Sequence, residues 1–287
     1  MKTRRAVTLT ELLVVMAIIT ILIGLTLSAV QRARAASNLT RCEYNLKQIG
    51  VGLINFENQR SVFPSNGGWD GSQTIMSTAN VPFTPETNNL FTGSRHQWGV
   101  GDPALSPTQQ TGSWAYSILP YLEQDEMYQK RTWAEGEPLY TCPARRDWAA
   151  TVPVSQDAYG DYLTGGWAWG KIDYAGNRAA VRKRPKCYAD NEFIRGRSVT
   201  ILVGEKAFDA DVQANNWYYD EPFFLGGSAG TVRSGDQLYR DGPGARYEHN
   251  WGSNHISGVN FLFGDGSVRL YNFKTDADTM DQVLSLD

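Results

Sequence analysis

The first feature of the hydrophobic pattern is an apolar segment close to the N-terminus. The residues from Leu12 to Val30 include no charged side chain. At a helical rise of about 1.5 Å per residue, such a run is as long as the roughly 30 Å hydrocarbon core of a bilayer. The pattern therefore predicts a helix that can span a membrane.

Beyond Val30 the apolar positions become periodic. They are spaced alternately three and four residues apart, which places them on one face of a helix. They are Leu39, Cys42, Leu46, Ile49, Leu53 and Phe56. We therefore predict one continuous helix over residues 7–58, in which residues 7–30 are embedded in apolar surroundings and the second half packs on a globular domain.

The remaining pattern favours short strands joined by long loops. Residues Ser198 to Glu205 form a β-branched run typical of a strand. Residues Gly258 to Phe273 alternate around an Asp-Gly turn, which is typical of a hairpin. We also expect a short helix pair within Trp114 to Tyr128 and a terminal helix from Ala277 to Leu286. The fold class is α+β, with the long helix packed on an antiparallel sheet in a head that covers residues 59–287.

The composition and net charge of the chain limit the kinds of partner and fold that we expect. The 287-residue chain has a net charge of −3, so it offers no basic face and no nucleic acid partner is expected. It contains nine tryptophans and 28 glycines, a profile typical of a loop-rich extracytoplasmic domain. Three cysteines are too few for a disulfide scaffold, although export would permit one bridge.

The residues before the apolar segment are charged. Lys2, Arg4 and Arg5 lie in residues 1–6 and would hold the N-terminus on the cytoplasmic side of a membrane. Glu11, by contrast, stands at the start of the apolar helix itself. A carboxylate is costly there, so Glu11 is a candidate functional residue.

This arrangement resembles the class III signal of type IV pilins and type II secretion pseudopilins, which reads Gly-Phe-Thr-Leu-x-Glu. Here the matching residues are Ala6, Val7, Thr8, Leu9 and Glu11, with Ala6 in place of Gly and Val7 in place of Phe. The resemblance implies a leader peptide over residues 1–6, which a prepilin peptidase removes before it methylates Val7. It also implies that Glu11 meets the cationic N-terminus of a neighbouring subunit, an attraction that is strong in dry surroundings.

Two other interpretations of the N-terminus stay open. A secretory signal peptide would be cut after the small-x-small triplet Ala33-Arg34-Ala35, but its apolar region would be unusually long and Glu11 would have no role. A simple membrane anchor would not explain Glu11 either. A lipoprotein signal fits poorly, because Arg41 directly precedes Cys42.

Motifs further along the chain resemble the DUF1559 family of pilin-like proteins, which is abundant in planctomycetes. His255 is followed after nine residues by Asp265-Gly266, as in the His-x9-Asp-Gly signature of that family. Residues 42–50, which read Cys-Glu-Tyr-Asn-Leu-Lys-Gln-Ile-Gly, resemble its N-terminal motif. Other markers are Leu119 to Glu123, Cys142-Pro143 and Ile201 to Lys206. The loops 65–112 and 207–250 are not covered by these motifs.

The resemblance implies a structural protein shaped like a lollipop, not an enzyme. As a precursor it would lie in the inner membrane, and it would then join copies of itself or other pilins in a type IV pilus or pseudopilus at the cell surface. Its assembly residues would be Val7, Glu11, Leu12 and Leu13.

The competing function is a membrane-tethered module that binds a solute or glycan, because the globular part of the family has also been labelled a solute-binding module. Trp167 and Trp169 would face the same side of an extended segment and could stack on sugar rings. Core packing is the simpler role for such tryptophans.

One disulfide is expected, between Cys42 and Cys142, which both lie inside the family-like motifs. Cys187 would then stay unpaired, although it could take either partner. Such a bridge would close a loop of about a hundred residues and tie the long helix to the head.

The remaining candidate chemistry is weaker. Residues 226–230 read Gly-Gly-Ser-Ala-Gly and match a nucleophile elbow, but the segment after them is a poor helix. His249, His255 and Asp265 have no standard zinc spacing, and His255 is expected to bond the backbone near the Asp265-Gly266 turn.

Calcium is the one cofactor that we consider, because some major pseudopilins hold it in a loop. Asp209 and Asp211 are the candidate ligands. One Asp-x-Asp pair without further ligands is little support for such a site.

Overall fold

A computed structural model describes residues 8–131, 135–147, 149–152, 154–157, 159–213 and 219–286. Five α-helices are present in this part of the chain: α1 (Leu9–Arg60), α2 (Trp114–Ser117), α3 (Asp125–Lys130), α4 (Ala210–Gln213) and α5 (Ala277–Leu284). Short 3₁₀ helices cover Leu119–Leu122, Pro138–Tyr140, Asp190–Glu192 and Arg197–Val199.

Fourteen short strands complete these described elements. They are β1 (Ile75–Met76), β2 (Pro82–Phe83), β3 (Glu86–Asn89), β4 (Arg95–Gln97), β5 (Gly99–Val100), β6 (Gly160–Leu163), β7 (Tyr174–Asn177), β8 (Ile201–Glu205), β9 (Leu225–Gly226), β10 (Val232–Arg233), β11 (Leu238–Arg240), β12 (Trp251–Ser253), β13 (Val259–Phe263) and β14 (Val268–Tyr271).

The α1 helix is a stem that carries the head on its second half. It is continuous over 52 residues, or about 78 Å, as the two apolar patterns predict. The predicted stripe is buried against the head at Cys42, Leu46, Ile49, Leu53 and Phe56. Leu39, at the N-terminal end of the stripe, is half-buried. Residues 9–37 of α1 are exposed throughout. The molecule is therefore the α+β lollipop that the sequence predicts.

The central sheet of the head has the order β10-β7-β8-β13-β14. The β13–β14 hairpin confirms the alternation seen in the sequence, and Gly266 adopts φ +83 in its turn, a left-handed conformation that favours glycine. Phe261 and Phe263 pack on one face with α5, whereas Leu262 packs on the opposite face with the residues of α1. The sheet therefore separates two apolar cores.

Two details of the sheet differ from the prediction. The strand predicted from Ser198 begins only at Ile201, because Arg197–Val199 form a turn of 3₁₀ helix. The sheet is also mixed. Strand β10 pairs with β7 in parallel, whereas the other three pairs of adjacent strands, β7–β8, β8–β13 and β13–β14, are antiparallel. Residues 65–112 contain the short strands β1 to β5, in agreement with the prediction of short strands joined by long loops, whereas residues 207–250, which were predicted as loop, contain α4 and the strands β9 to β11.

Candidate functional site

The exposed start of α1 is the first candidate site. Thr8 caps the helix, and its backbone N–H donates to Oε2 of Glu11 at 2.8 Å, while its hydroxyl accepts from the Glu11 N–H. This reciprocal capping box satisfies two backbone donors that would otherwise have no partner. Glu11 therefore has a structural role in the isolated chain that the sequence analysis did not assign.

The rest of the predicted assembly surface is apolar and exposed. The side chains of Leu12 and Leu13 are 57% and 62% exposed, and the large apolar residues up to Val30 are exposed to a similar degree. By length and composition α1 can cross a membrane. Ala6 and Val7, the predicted processing residues, lie outside the described residues, so the cleavage site stays a prediction.

A second site lies where the stem meets the head. Four buried side chains, those of Cys42, Cys142, Glu205 and His255, place their sulfur, nitrogen and oxygen atoms within 4.8 Å of one another. The two Sγ atoms are 2.9 Å apart, and Sγ of Cys142 lies 3.7 Å from Nε2 of His255. That nitrogen lies 3.2 Å from Oε1 of Glu205.

Different elements supply these four side chains. Cys42 belongs to the buried stripe of α1, and Cys142 follows the 3₁₀ helix Pro138–Tyr140. Glu205 ends β8, and His255 lies in the loop between β12 and β13. The four residues thus join the stem to three separate parts of the head.

The thiols of this cluster differ in acidity. A hydrogen bond from Cys42 and the contact with His255 lower the pKa of Cys142 to about 7, although burial opposes the shift. The bond to Cys142 and burial raise the pKa of Cys42. Burial would lower the pKa of His255, but Cys142 and Glu205 outweigh it and raise that pKa to about 10.

The structure brings the two cysteines of the predicted disulfide close together. Cys42 and Cys142 are adjacent but carry free thiols in this structure, so the bridge stays a prediction. Cys187 lies elsewhere, half-buried with its thiol near the carbonyl of Pro107.

The interpretation of His255 as a support for the Asp265-Gly266 turn is wrong. Its side chain contacts Cys142 and Glu205 instead. Asp265 supports the turn itself, by accepting a hydrogen bond from the N–H of Ser267 at 2.9 Å. His249 packs against the ring of Tyr219. Among the described residues, it does not belong to the group of possible metal ligands that contains His255.

The weak calcium candidates have other roles in the structure. Oδ1 of Asp209 accepts from the N–H of Asp211, and Oδ2 accepts from the N–H of Gly244, so this carboxylate joins the start of α4 to the loop at Gly244. Asp211 is exposed. Calcium binding there stays an untested prediction.

The Gly-x-Ser-x-Gly segment is a buried loop. Ser228 is completely buried and donates to Oε2 of Glu221 at 2.8 Å, while its Oγ accepts from the N–H of Gly230. The short strand β10 follows where a nucleophile elbow needs a helix. The segment therefore supplies a hydrogen-bonded turn.

The two loop regions that the family-like motifs do not cover meet at a cleft of about 220 Å³. The lining residues are Thr87, Asn89, His96, Trp98, Arg178, Lys183, Tyr219, Glu221, Gly227, Ala229 and His249. The tryptophans predicted to stack on sugars are elsewhere, because Trp169 is buried in the core and Trp167 donates to the carbonyl of Met76.

Comparison with known families gives two matches. A family described as protein of unknown function (DUF1559) matches residues 31–278, and the prokaryotic N-terminal methylation motif matches residues 1–27. No curated protein and no solved structure matches the chain.

Proposed function

The chain belongs to the DUF1559 family and carries a prepilin-type methylation signal, and from this premise we propose that it is a structural subunit that assembles into an extracellular filament or pseudopilus. The observation that carries the proposal is the contrast along α1. One face of its second half is buried against the head, whereas residues 9–37 are exposed and mostly apolar. Such a surface needs either lipid or other apolar helices around it.

The stem is suited to both environments in turn. As a precursor, the chain would lie in the inner membrane with its basic leader in the cytoplasm. After a prepilin peptidase cuts between Ala6 and Val7, residues 7–30 of several copies would pack together and exclude water from their apolar side chains. The head would then face outward, because the buried stripe of α1 fixes it to the second half of the stem.

The experiment that tests this proposal follows the chain from membrane to filament. The full precursor is produced in its native host, and filaments sheared from the cell surface are examined by electron microscopy with antibodies against the head. We expect labelled filaments and a mature N-terminus at methylated Val7, read by mass spectrometry. A mature chain that starts at Ala36, or a chain with residues 1–6 intact and no filaments, contradicts the proposal.

The cleft favours a second function, a tethered module that binds a solute or glycan. It combines the ring of Trp98 with exposed Arg178 and Lys183 at its rim and buried Glu221 at its wall. Aromatic faces with a few polar groups are typical of small-molecule sites. Glycan-array binding that is lost in Trp98→Ala, in cells without labelled filaments, would favour this function over assembly.

A further inference from the structure

We propose that Cys42, Cys142, Glu205 and His255 bind one Zn²⁺ ion that ties the stem to the head. In the part of the chain that the structure describes, they form the one group of side chains whose ligand atoms come together for a metal. Two thiolates, one imidazole and one carboxylate are ligands that zinc prefers, and four protein ligands are typical of a closed structural site. This inference does not depend on filament assembly.

All ligand atoms of the cluster lie within 4.8 Å of one another, and two of the three shortest distances are close to those of a zinc site. Around a tetrahedral zinc ion the ligand atoms lie about 3.3–3.8 Å apart. The 3.7 Å from Cys142 Sγ to His255 Nε2 and the 3.2 Å from that nitrogen to Glu205 Oε1 are close to this range. The 2.9 Å between the two sulfur atoms must open by roughly 0.9 Å, which a rotation of one cysteine side chain can supply.

Surrounding groups hold the ligands in place. Oε2 of Glu205 accepts from the N–H of Asn260 at 2.8 Å, while the buried Oε1 faces Nε2 of His255 at 3.2 Å. The N–H of Cys142 donates to Oδ2 of Asp173 at 2.8 Å. Such outer contacts orient metal ligands, and they leave Oε1 of Glu205 directed at the cluster.

The charge balance also suits a divalent cation. When the ion binds, both thiols and His255 release their protons, and two thiolates and one carboxylate around Zn²⁺ then leave a net charge of about −1. The buried guanidinium of Arg145 pairs with Asp173 at 3.2 Å, and Asp173 accepts from the N–H of Cys142, so a positive charge lies next to the cluster.

An entry route is present beside the stem. A groove of about 480 Å³ lies between residues 31–39 of α1 and the loop Asn254 to Ser257, and His255 lines it. The other three ligands do not line the groove. An ion would therefore meet His255 first and then reach the buried sulfur atoms and Glu205.

A disulfide is the competing state of the same two sulfur atoms. It would account for Cys42 and Cys142 but would leave His255 and Glu205 as an isolated buried pair, which is costly to desolvate. Zinc accounts for the convergence of all four side chains. We therefore favour zinc, and the experiment must separate the two states.

The test measures metal and thiols together in the full-length chain. The protein is extracted from membranes in detergent under argon without chelator, and its zinc content is measured by mass spectrometry. We expect about one zinc ion per chain and, after exchange, the sulfur-to-cobalt charge-transfer absorption of a Co²⁺ thiolate site. A metal-free chain overturns the proposal, whether peptide mapping finds a Cys42–Cys142 disulfide or two free thiols.

Variants check the ligands individually. Cys42→Ser should lose the ion, whereas Cys187→Ser, which changes a cysteine outside the cluster, should retain it. Glu205→Gln keeps the shape of the side chain and should weaken zinc binding by at least about tenfold. If Cys42→Ser does not fold, Glu205→Gln decides the matter, because undiminished zinc affinity in that variant rules out the four-ligand site.

Discussion

Lys206 and Asp220 form a completely buried ion pair, in which Nζ lies 2.8 Å from Oδ1. Asp220 also pairs with Arg146 at 2.6 Å and with Lys171 at 3.0 Å, so one carboxylate contacts three basic side chains. Arg146 in turn pairs with Asp173. Lys206 directly follows Glu205, and this network therefore fixes the end of β8 where the metal-ligand cluster lies.

Replacing Asp220 with Asn should destabilise the head strongly. Lys206 would stay buried without a countercharge, and breaking a buried pair in this way typically costs about 3–5 kcal/mol. The measurement is a denaturant titration of the full chain in detergent, followed by tryptophan fluorescence. The matched control is Glu126→Gln, which breaks a pair with Lys130 at the surface and should leave the midpoint unchanged. Equal effects of the two substitutions would contradict a structural role for Asp220.

The same network should make the head sensitive to acid. Burial would raise the pKa of Asp220, but Arg146, Lys171 and Lys206 outweigh it and hold that pKa well below its usual range. The unfolded chain therefore takes up the proton first, near its ordinary pKa of about 3.9. The stability that Asp220 contributes is complete above this pH and is lost as the pH falls toward the lower pKa of the folded state.

Unfolding midpoints at pH 6, 4 and 3 measure this dependence. The wild-type chain should lose stability between pH 4 and 3, and Asp220→Asn should lose less over the same interval because its side chain does not titrate. A variant with the same acid dependence as the wild type would assign the effect to other carboxylates.

The contact between stem and head should depend on the buried stripe of α1. Ile49 is completely buried in the core, whereas Val51 on the same helix is about half exposed. Ile49→Ala should reduce the free energy of unfolding by about 2–5 kcal/mol, because it removes buried methyl groups and leaves a cavity. Val51→Ala is the control and should change it by no more than about 0.5 kcal/mol. Denaturant midpoints of the two variants decide the point.

Local patterns predicted the elements that depend on local sequence. The stripe from Cys42 to Phe56 and the alternation of Val259, Phe261 and Phe263 were sufficient for the stem and the hairpin. The predicted start of β8 was wrong because contacts with residues far away in the sequence also influence where the strand begins. Arg197 pairs with Glu57 of α1 at 3.0 Å, and this tertiary contact accompanies a 3₁₀ turn in a segment whose β-branched residues favour a strand.

The metal-ligand cluster was not predicted for a related reason. Its four members are separated by long stretches of chain, and sequence rules for zinc sites rest on short spacings such as Cys-x2-Cys. The available signal was that Cys42, Cys142, Glu205 and His255 each stand in a separate family-like motif. Only the fold shows that these motifs meet at one buried point.

Glu11 has two separable roles in the proposed function, and substitutions can distinguish them. Its carboxylate completes the capping box with Thr8, and in a filament it would also meet the cationic N-terminus of Val7 on a neighbouring subunit. Glu11→Ala removes both contacts and should abolish filaments, while the head stays folded because it contacts only the second half of α1. Filament yield relative to total protein is the measurement.

The informative variant is Glu11→Gln. A glutamine can complete a capping box, since its amide oxygen accepts the same hydrogen bond, but it carries no charge. If the charge pair fixes the register of the subunits, Glu11→Gln should fail to assemble like Glu11→Ala, whereas Thr8→Ala, which weakens the cap and keeps the charge, should still form filaments. Normal filaments from Glu11→Gln would show that the cap alone matters. Normal filaments from Glu11→Ala as well would remove Glu11 from assembly and shift support to the tethered binding module.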